Sequence, residues 1–148
     1  MTRYVHTNII ARDFKRLVDF YKTVFNCRSI GETRDLRGGW LDALTGIKGS
    51  HITGEHLCLP GYGENHPTLE IFSYDFMEES ARAINTCGIA HIAFEVDDVE
   101  RTLALVHEHG GGQIGEVVRA QYDDGRRAVF VYATDCEGNI IELQSWEG

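Results

Sequence analysis

Gly88-Ile89-Ala90-His91-Ile92-Ala93-Phe94-Glu95-Val96-Asp97-Asp98 is the stretch whose reading decides the fold. Ala90, Ile92, Phe94 and Val96 fall on one side of an extended segment, opposite His91 and Ala93, which is the two-residue period of a strand. After Asp98 the period changes. Val99, Leu103 and Val106 recur at helical spacing, with Asp97 or Asp98 as the helix cap and Glu100 in capping-box register with Asp97. The same pattern occurs at Val5-His6-Thr7-Asn8-Ile9-Ile10-Ala11-Arg12-Asp13, where Phe14, Leu17, Val18, Tyr21, Val24 and Phe25 follow at helical spacing. Superposing His6 on His91 carries Asp13 onto Asp98. A histidine at the same point of two copies points to a duplicated module with a site shared between its halves.

Working outward, the first copy continues with an expected strand at 28–35, a loop Arg37-Gly38-Gly39-Trp40, and a short helical turn Leu41–Gly46 closed by glycine. Strands are expected at 51–59 and 68–74, joined by the turn at 60–67. The second copy continues after Gly110-Gly111-Gly112 with strands at 113–119, 127–134 and 139–146, divided by Asp123-Asp124-Gly125 and Asp135-Cys136-Glu137-Gly138. Each module therefore reads β-α-β-β-β. The expected organisation is one domain over 1–148, with a first module at 1–75, a linker at 76–86 and a second module at 87–148.

With 148 residues, 43% of them hydrophobic and 25% charged, the chain has a globular composition and enough length to bury a core. A formal net charge of −9 argues against nucleic acid and anionic membrane as partners. The four cysteines, Cys27, Cys58, Cys87 and Cys136, are too far apart for a CxxC motif and read as reduced, buried small hydrophobes. With no apolar leader-like run and no segment of membrane-spanning length, the expected location is cytoplasmic.

The last strand of each module carries a glutamate inside an apolar alternation, Leu69-Glu70-Ile71 and Ile141-Glu142-Leu143. If the apolar faces pack on the helices, His6, Glu70, His91 and Glu142 share the opposite faces. The first copy is longer between its histidine and its glutamate, and the surplus falls on the Trp40–Gly49 region. Two imidazoles and two carboxylates suit one divalent metal of borderline to hard character, such as Ni, Co, Zn, Mn or Fe. Such a set leaves two octahedral positions for adjacent oxygens of a substrate. The metal would acidify a C–H beside a carbonyl and hold the resulting enediolate, with Glu142 or Glu70 as general base.

Those same residues resemble the vicinal oxygen chelate superfamily, which includes lactoylglutathione lyase (glyoxalase I), methylmalonyl-CoA epimerase, extradiol dioxygenases and bleomycin-type resistance proteins. The resemblance spans essentially the whole chain. It rests on Val5-His6-Thr7 with Asp19-Phe20-Tyr21, on Gly88–Phe94, and on Asp135–Leu143, which is similar to the family ending D-P-D-G-N-x-I-E-L with Cys136 and Glu137 as departures. It implies an α+β, glyoxalase-like fold of two βαβββ modules whose curved mixed sheets surround a metal cavity. It also implies metal ligands at His6, Glu70, His91 and Glu142. That set follows the lyase-like pattern, since family epimerases tend to carry Gln where Glu70 stands and iron dioxygenases use three protein ligands.

The expected activity is a divalent-metal-dependent lyase or isomerase of glyoxalase type. The first substrate to try is a glutathione hemithioacetal, and the expected assembly is a homodimer. The alternatives are a ferrous dioxygenase of the same superfamily and a non-catalytic small-molecule binding or resistance protein. Other features read as structural. Trp40 is expected to fill the core, with a lid as the alternative role. Arg119, Arg126 and Arg127 are expected at solvated surface, with an anion-holding role as the alternative. His51 and His56 lie on opposite faces of their strand, so at most one of them approaches a ligand.

Overall fold

A computed structural model describes residues 1–64 and 66–148; Asn65, within the turn expected at 60–67, lies outside the described residues. The chain divides into two compact units, Met1–Glu79 and Ser80–Gly148. The first contains β1 (His6–Ile10), α1 (Phe14–Phe25), β2 (Arg28–Arg37), α2 (Gly39–Thr45), β3 (His51–Cys58) and β4 (Thr68–Tyr74). The second contains β5 (Ile92–Glu95), α3 (Val99–Glu108), β6 (Gly112–Gln121), β7 (Arg127–Thr134) and β8 (Ile140–Glu147).

Each unit holds one four-stranded mixed sheet, in the orders β1-β4-β3-β2 and β5-β8-β7-β6. The outer pairs β1–β4 and β5–β8 are parallel and the remaining pairs antiparallel. A helix follows the first strand of each unit because the chain must cross over before β4 or β8 can pair in parallel.

Local chemistry repeats along with the topology. Asp13 and Asp98 both cap their helices in extended conformation, accepting from the backbone N–H of Arg16 at 3.2 Å and Arg101 at 2.9 Å. The second cap decides between the two expected candidates: Asp98 caps α3, and Glu100, in capping-box register only with Asp97, pairs with Arg119 instead. The register of β2 on β3 shifts between Ile30 and Arg34, and that of β6 on β7 between Ile114 and Val118. Gly31 and Gly115 sit at those two bulges with φ of 69° and 65°, a backbone that only glycine adopts without strain.

In the first unit Leu17, Val18, Tyr21, Val24 and Phe25 of α1 are buried together with Leu57, Leu69 and Ile71 of the sheet. In the second, Val99, Leu103 and Val106 of α3 are buried with Val131, Ile141 and Leu143. The odd-numbered residues of β3 and β4 thus face the helix, as Lys22 of α1 reaching Glu55 also requires. The even-numbered ones face away.

Other expectations need correction. Trp40 is 57% exposed at the start of α2, and Leu41 next to it is the buried residue. Of the cysteines only Cys27 is buried; Cys58 and Cys136 are partly exposed and Cys87 is exposed, all four being free thiols. Burial, with Cys58 nearby, pushes the Cys27 thiol up to about 12, so it is chemically quiet at neutral pH. The strand expected at 90–96 is shorter. Its ladder on β8 begins at Ile92↔Ile141, leaving His91 at the entrance to β5. Among the described residues no helix is long and apolar enough to cross a membrane.

Candidate functional site

The helix-free face of the first sheet carries two transverse rows of side chains. Ladder pairing aligns Ile30, His56, Glu70 and Asn8 across β2, β3, β4 and β1, and aligns Arg28, Cys58, Thr68 and His6 in the next row. Glu70 therefore stands where His6, Asn8 and His56 can all reach it. His6 Nε2 lies 3.0 Å from Glu70 Oε1, and Asn8 Nδ2 donates to the same oxygen at 3.2 Å. His56 Nε2 bonds the other oxygen, Oε2. Three polar neighbours explain how a carboxylate only 9% exposed is tolerated on a sheet face.

The second sheet repeats the arrangement with fewer partners. Ile114, Tyr132, Glu142 and Ala93 align across β6, β7, β8 and β5. His91 Nε2 lies 3.0 Å from Glu142 Oε2, the same separation as in the first unit. Tyr132 occupies the place of His56 and sets its ring 5.0 Å from the His91 imidazole, while Ala93 stands where Asn8 does. Glu142 therefore lacks the amide donor and the second imidazole that hold Glu70. His91 Nδ1 is buried and has no hydrogen-bond partner among the described residues. Buried ring nitrogens are seldom left so.

The four residues expected from sequence thus meet as two His–Glu pairs, one in each unit. Among the described residues no three His, Cys, Asp or Glu side chains form a ready-made metal cluster. The donor chemistry nevertheless suits a divalent ion. Ligand atoms bonded at about 2.1 Å and roughly at right angles lie about 3 Å apart, the spacing both pairs adopt.

Sequence reasoning left His56 as one of two candidates and did not single out Tyr132 or Asn8. The signal was available in the ladders: the residue opposite a functional glutamate on the adjacent strand shares its face. His51, on the other side of β3, bonds Asp35 at 2.7 Å and Asp75 at 3.0 Å, away from Glu70. Arg119 is engaged with Glu100. Arg126 pairs with Asp124 and covers the rings of Tyr122 and Trp146.

Residues 3–143 match the model of the Glyoxalase/Bleomycin resistance protein/Dioxygenase superfamily. The chain belongs to that superfamily. It is 27% identical over 139 residues to the uncharacterized protein YaeR of Escherichia coli, a match covering 93% of this chain and 92% of that one. Among solved structures, a glyoxalase family protein from Bacillus cereus superposes with a TM-score of 0.82 at 21% identity, covering 100% of this chain and 96% of that one. The trypanothione-dependent glyoxalase I of Leishmania major gives 0.61 at 22% identity, covering 98% and 87%. The fosfomycin resistance protein FosX of Listeria monocytogenes, complexed with Mn(II) and sulfate, gives 0.57 at 18% identity, covering 98% and 93%. These likenesses establish the glyoxalase-like fold for both units, and the superfamily they represent includes enzymes.

Proposed function

We propose that the chain is a divalent-metal-dependent lyase or isomerase of the glyoxalase type, acting on a small substrate that offers two adjacent oxygens. The observation that carries this reading is the repeated pair: in each unit an imidazole Nε2 and a carboxylate oxygen stand 3.0 Å apart. His6 and Glu70 from one unit, and His91 and Glu142 from the other, are the ligands we assign to Ni, Co, Zn or Mn. When bound, such an ion supplies Lewis-acid polarisation of a carbonyl and lowers the cost of removing the neighbouring proton.

The chain's own residues divide the remaining work. Glu70, held by Asn8 on one oxygen and His56 on the other, is anchored. Glu142 has far fewer restraints, and a general base must move toward the proton it takes. Glu142 is therefore the residue we assign to proton transfer, lifting a proton from a carbon beside a carbonyl and returning it to the adjacent atom. Glu70 is the residue whose role is to stay. The phenolic ring of Tyr132 backs the His91 imidazole and limits its rotation.

Elemental mass spectrometry of protein purified without chelator or affinity tag tests the assignment. About one Ni, Co, Zn or Mn per chain is expected, lost in His91→Ala, with turnover of a hemithioacetal or an acyl-CoA epimer lost as well. Glu142→Gln is expected to keep most of the metal and lose the turnover. Iron together with oxygen uptake would replace the lyase by an oxygenase, and activity retained in His91→Ala would sink the mechanism.

A further inference from the structure

A cavity of about 620 Å³ opens on the first sheet, lined among others by Arg3, Arg28, Tyr62, His66, His56 and Thr68. It adjoins the row that carries Glu70, because His56 belongs to both. We propose that this cavity takes the tail of the substrate, and that the tail is a planar or aromatic body ending in a carboxylate. The proposal rests on the reading of His6 and Glu70 as the reacting end of the site.

Neither the Arg3 nor the Arg28 guanidinium forms a hydrogen bond or ion pair with any described residue, whereas those of Arg12, Arg37, Arg82, Arg119 and Arg126 all do. Glu64 also lines the opening. Two guanidinium groups against that one carboxylate leave the lining with a net positive charge, in a chain whose total is −9. Such a lining attracts an anion against the chain's overall negative charge. Guanidinium is the side-chain group best matched to a carboxylate, through paired N–H donors.

The duplicated second unit provides an internal control. Arg28, Cys58 and Thr68 align across β2, β3 and β4, and their counterparts Gly112, Thr134 and Ile140 align across β6, β7 and β8. Glycine suffices at that point of the repeat, so the fold does not call for an arginine at position 28. The charge is an addition specific to one half.

Register also sets the length of the tail. Arg28 lies two strands from β4, which carries Glu70, and strands are spaced by about 4.8 Å, so the cation's strand runs about 10 Å from that of the reacting carboxylate. A single aromatic ring with a carboxylate at its far end spans that gap once the arginine side chain leans inward. Tyr62 and His66 stack at 5.8 Å with their planes 20° apart, and Tyr62 remains 65% exposed. They offer a flat apolar face to such a ring.

Benzohydroxamate and 4-carboxybenzohydroxamate test this directly, since both chelate through two oxygens and only one bears the tail charge. Binding is measured by calorimetry on metal-loaded protein and by ligand-observed NMR on chelator-treated protein. The carboxylated compound is expected to bind about tenfold more tightly, the scale of a charge-assisted bond to guanidinium. In the Arg3→Gln, Arg28→Gln double variant the preference should fall to about twofold or less, with benzohydroxamate binding and metal content unchanged. Equal binding of the two probes, no binding of either, or a preference that survives the double variant overturns the proposal. A carboxylate preference that persists in protein unable to take up metal would remove the metal assignment and leave the cavity standing.

Discussion

His56 stands directly across the β3–β4 ladder from Glu70 and bonds the carboxylate oxygen that His6 and Asn8 leave free. The far side of its ring is supported by Phe72, stacked at 6.0 Å with an interplanar angle of 28°. Replacing His56 by Ala leaves Glu70 Oε2 buried without its partner, which costs about 1–3 kcal/mol. We expect a urea midpoint lowered accordingly in metal-free protein, and partial recovery in His56→Gln, whose amide can donate to the same oxygen. An unchanged midpoint in His56→Ala would mean that Glu70 is held without it.

Phe72 reaches that ring because Gly54 leaves room. Gly54 is paired with Phe72, and a Cβ there would run into the Ile71 carbonyl oxygen and the Phe72 ring. Alanine in a strand is ordinarily favoured over glycine by roughly 0.5–1 kcal/mol. Here the clash with backbone reverses the sign, and Gly54→Ala should destabilise the fold by about 2 kcal/mol. Thermal unfolding monitored by circular dichroism decides the sign. A gain in stability would show that β4 can move away from β3 at this point.

Much of this was legible because the chain says it twice. Asp13 with Asp98, His6 with His91, and Glu70 with Glu142 recur at matching places, and repetition separates a functional polar residue on a strand from an incidental one. The helices were legible from their caps and apolar stripes. What stayed hidden depended on partners distant in sequence. Asp97 and Asp98 both stay candidates as caps until Asp98 is seen to accept from the Arg101 N–H, with Glu100 taken by Arg119. Trp40 reads as core by its type, yet Leu41 takes the buried position because a seven-residue helix has a single inward face. His56 and Tyr132 matter through register alone, and register depends on where each turn ends.

His51 bridges three segments of the first unit, with Nε2 on Asp35 and Nδ1 on Asp75. Its pKa is raised, chiefly by the bond to Asp35 and then by that to Asp75, with burial and Arg37 opposing; that of Asp35 is lowered, chiefly by the same bond. A raised histidine stabilises the fold fully below its ordinary value of 6.5, and the contribution is lost as pH rises through the folded-state pKa. A lowered aspartate stabilises above its ordinary 3.8 and is lost as pH falls through the folded-state value. The bridge is therefore strongest between about pH 4 and 6.5. The difference in Tm between the natural chain and His51→Gln should be largest near pH 5–6 and shrink by about pH 9. A difference independent of pH would mean that the histidine acts through packing.

Asp135 is 2% exposed and begins the turn that launches β8, the strand bearing Glu142. Its Oδ1 accepts from the backbone N–H of Glu137 at 2.9 Å and of Asn139 at 3.0 Å, while Oδ2 accepts from Asn139 Nδ2 at 2.8 Å. The backbone closes the same loop, Asp135 donating to the Asn139 carbonyl at 2.9 Å. Alanine at 135 leaves those donors facing a void at the edge of the sheet, with a cost of about 3 kcal/mol. Asparagine keeps one oxygen for the two backbone donors but turns an NH2 group toward the Asn139 amide, and should recover only part of the loss. Denaturant unfolding should give a lower midpoint at unchanged slope for Asp135→Ala, with Asp135→Asn between it and the natural chain. Since β8 enters from this turn, hydrogen exchange at Ile141 and Glu142 should accelerate in the same order. Protection unchanged in the alanine variant would show that pairing with β5 and β7 fixes the position of Glu142 without the turn.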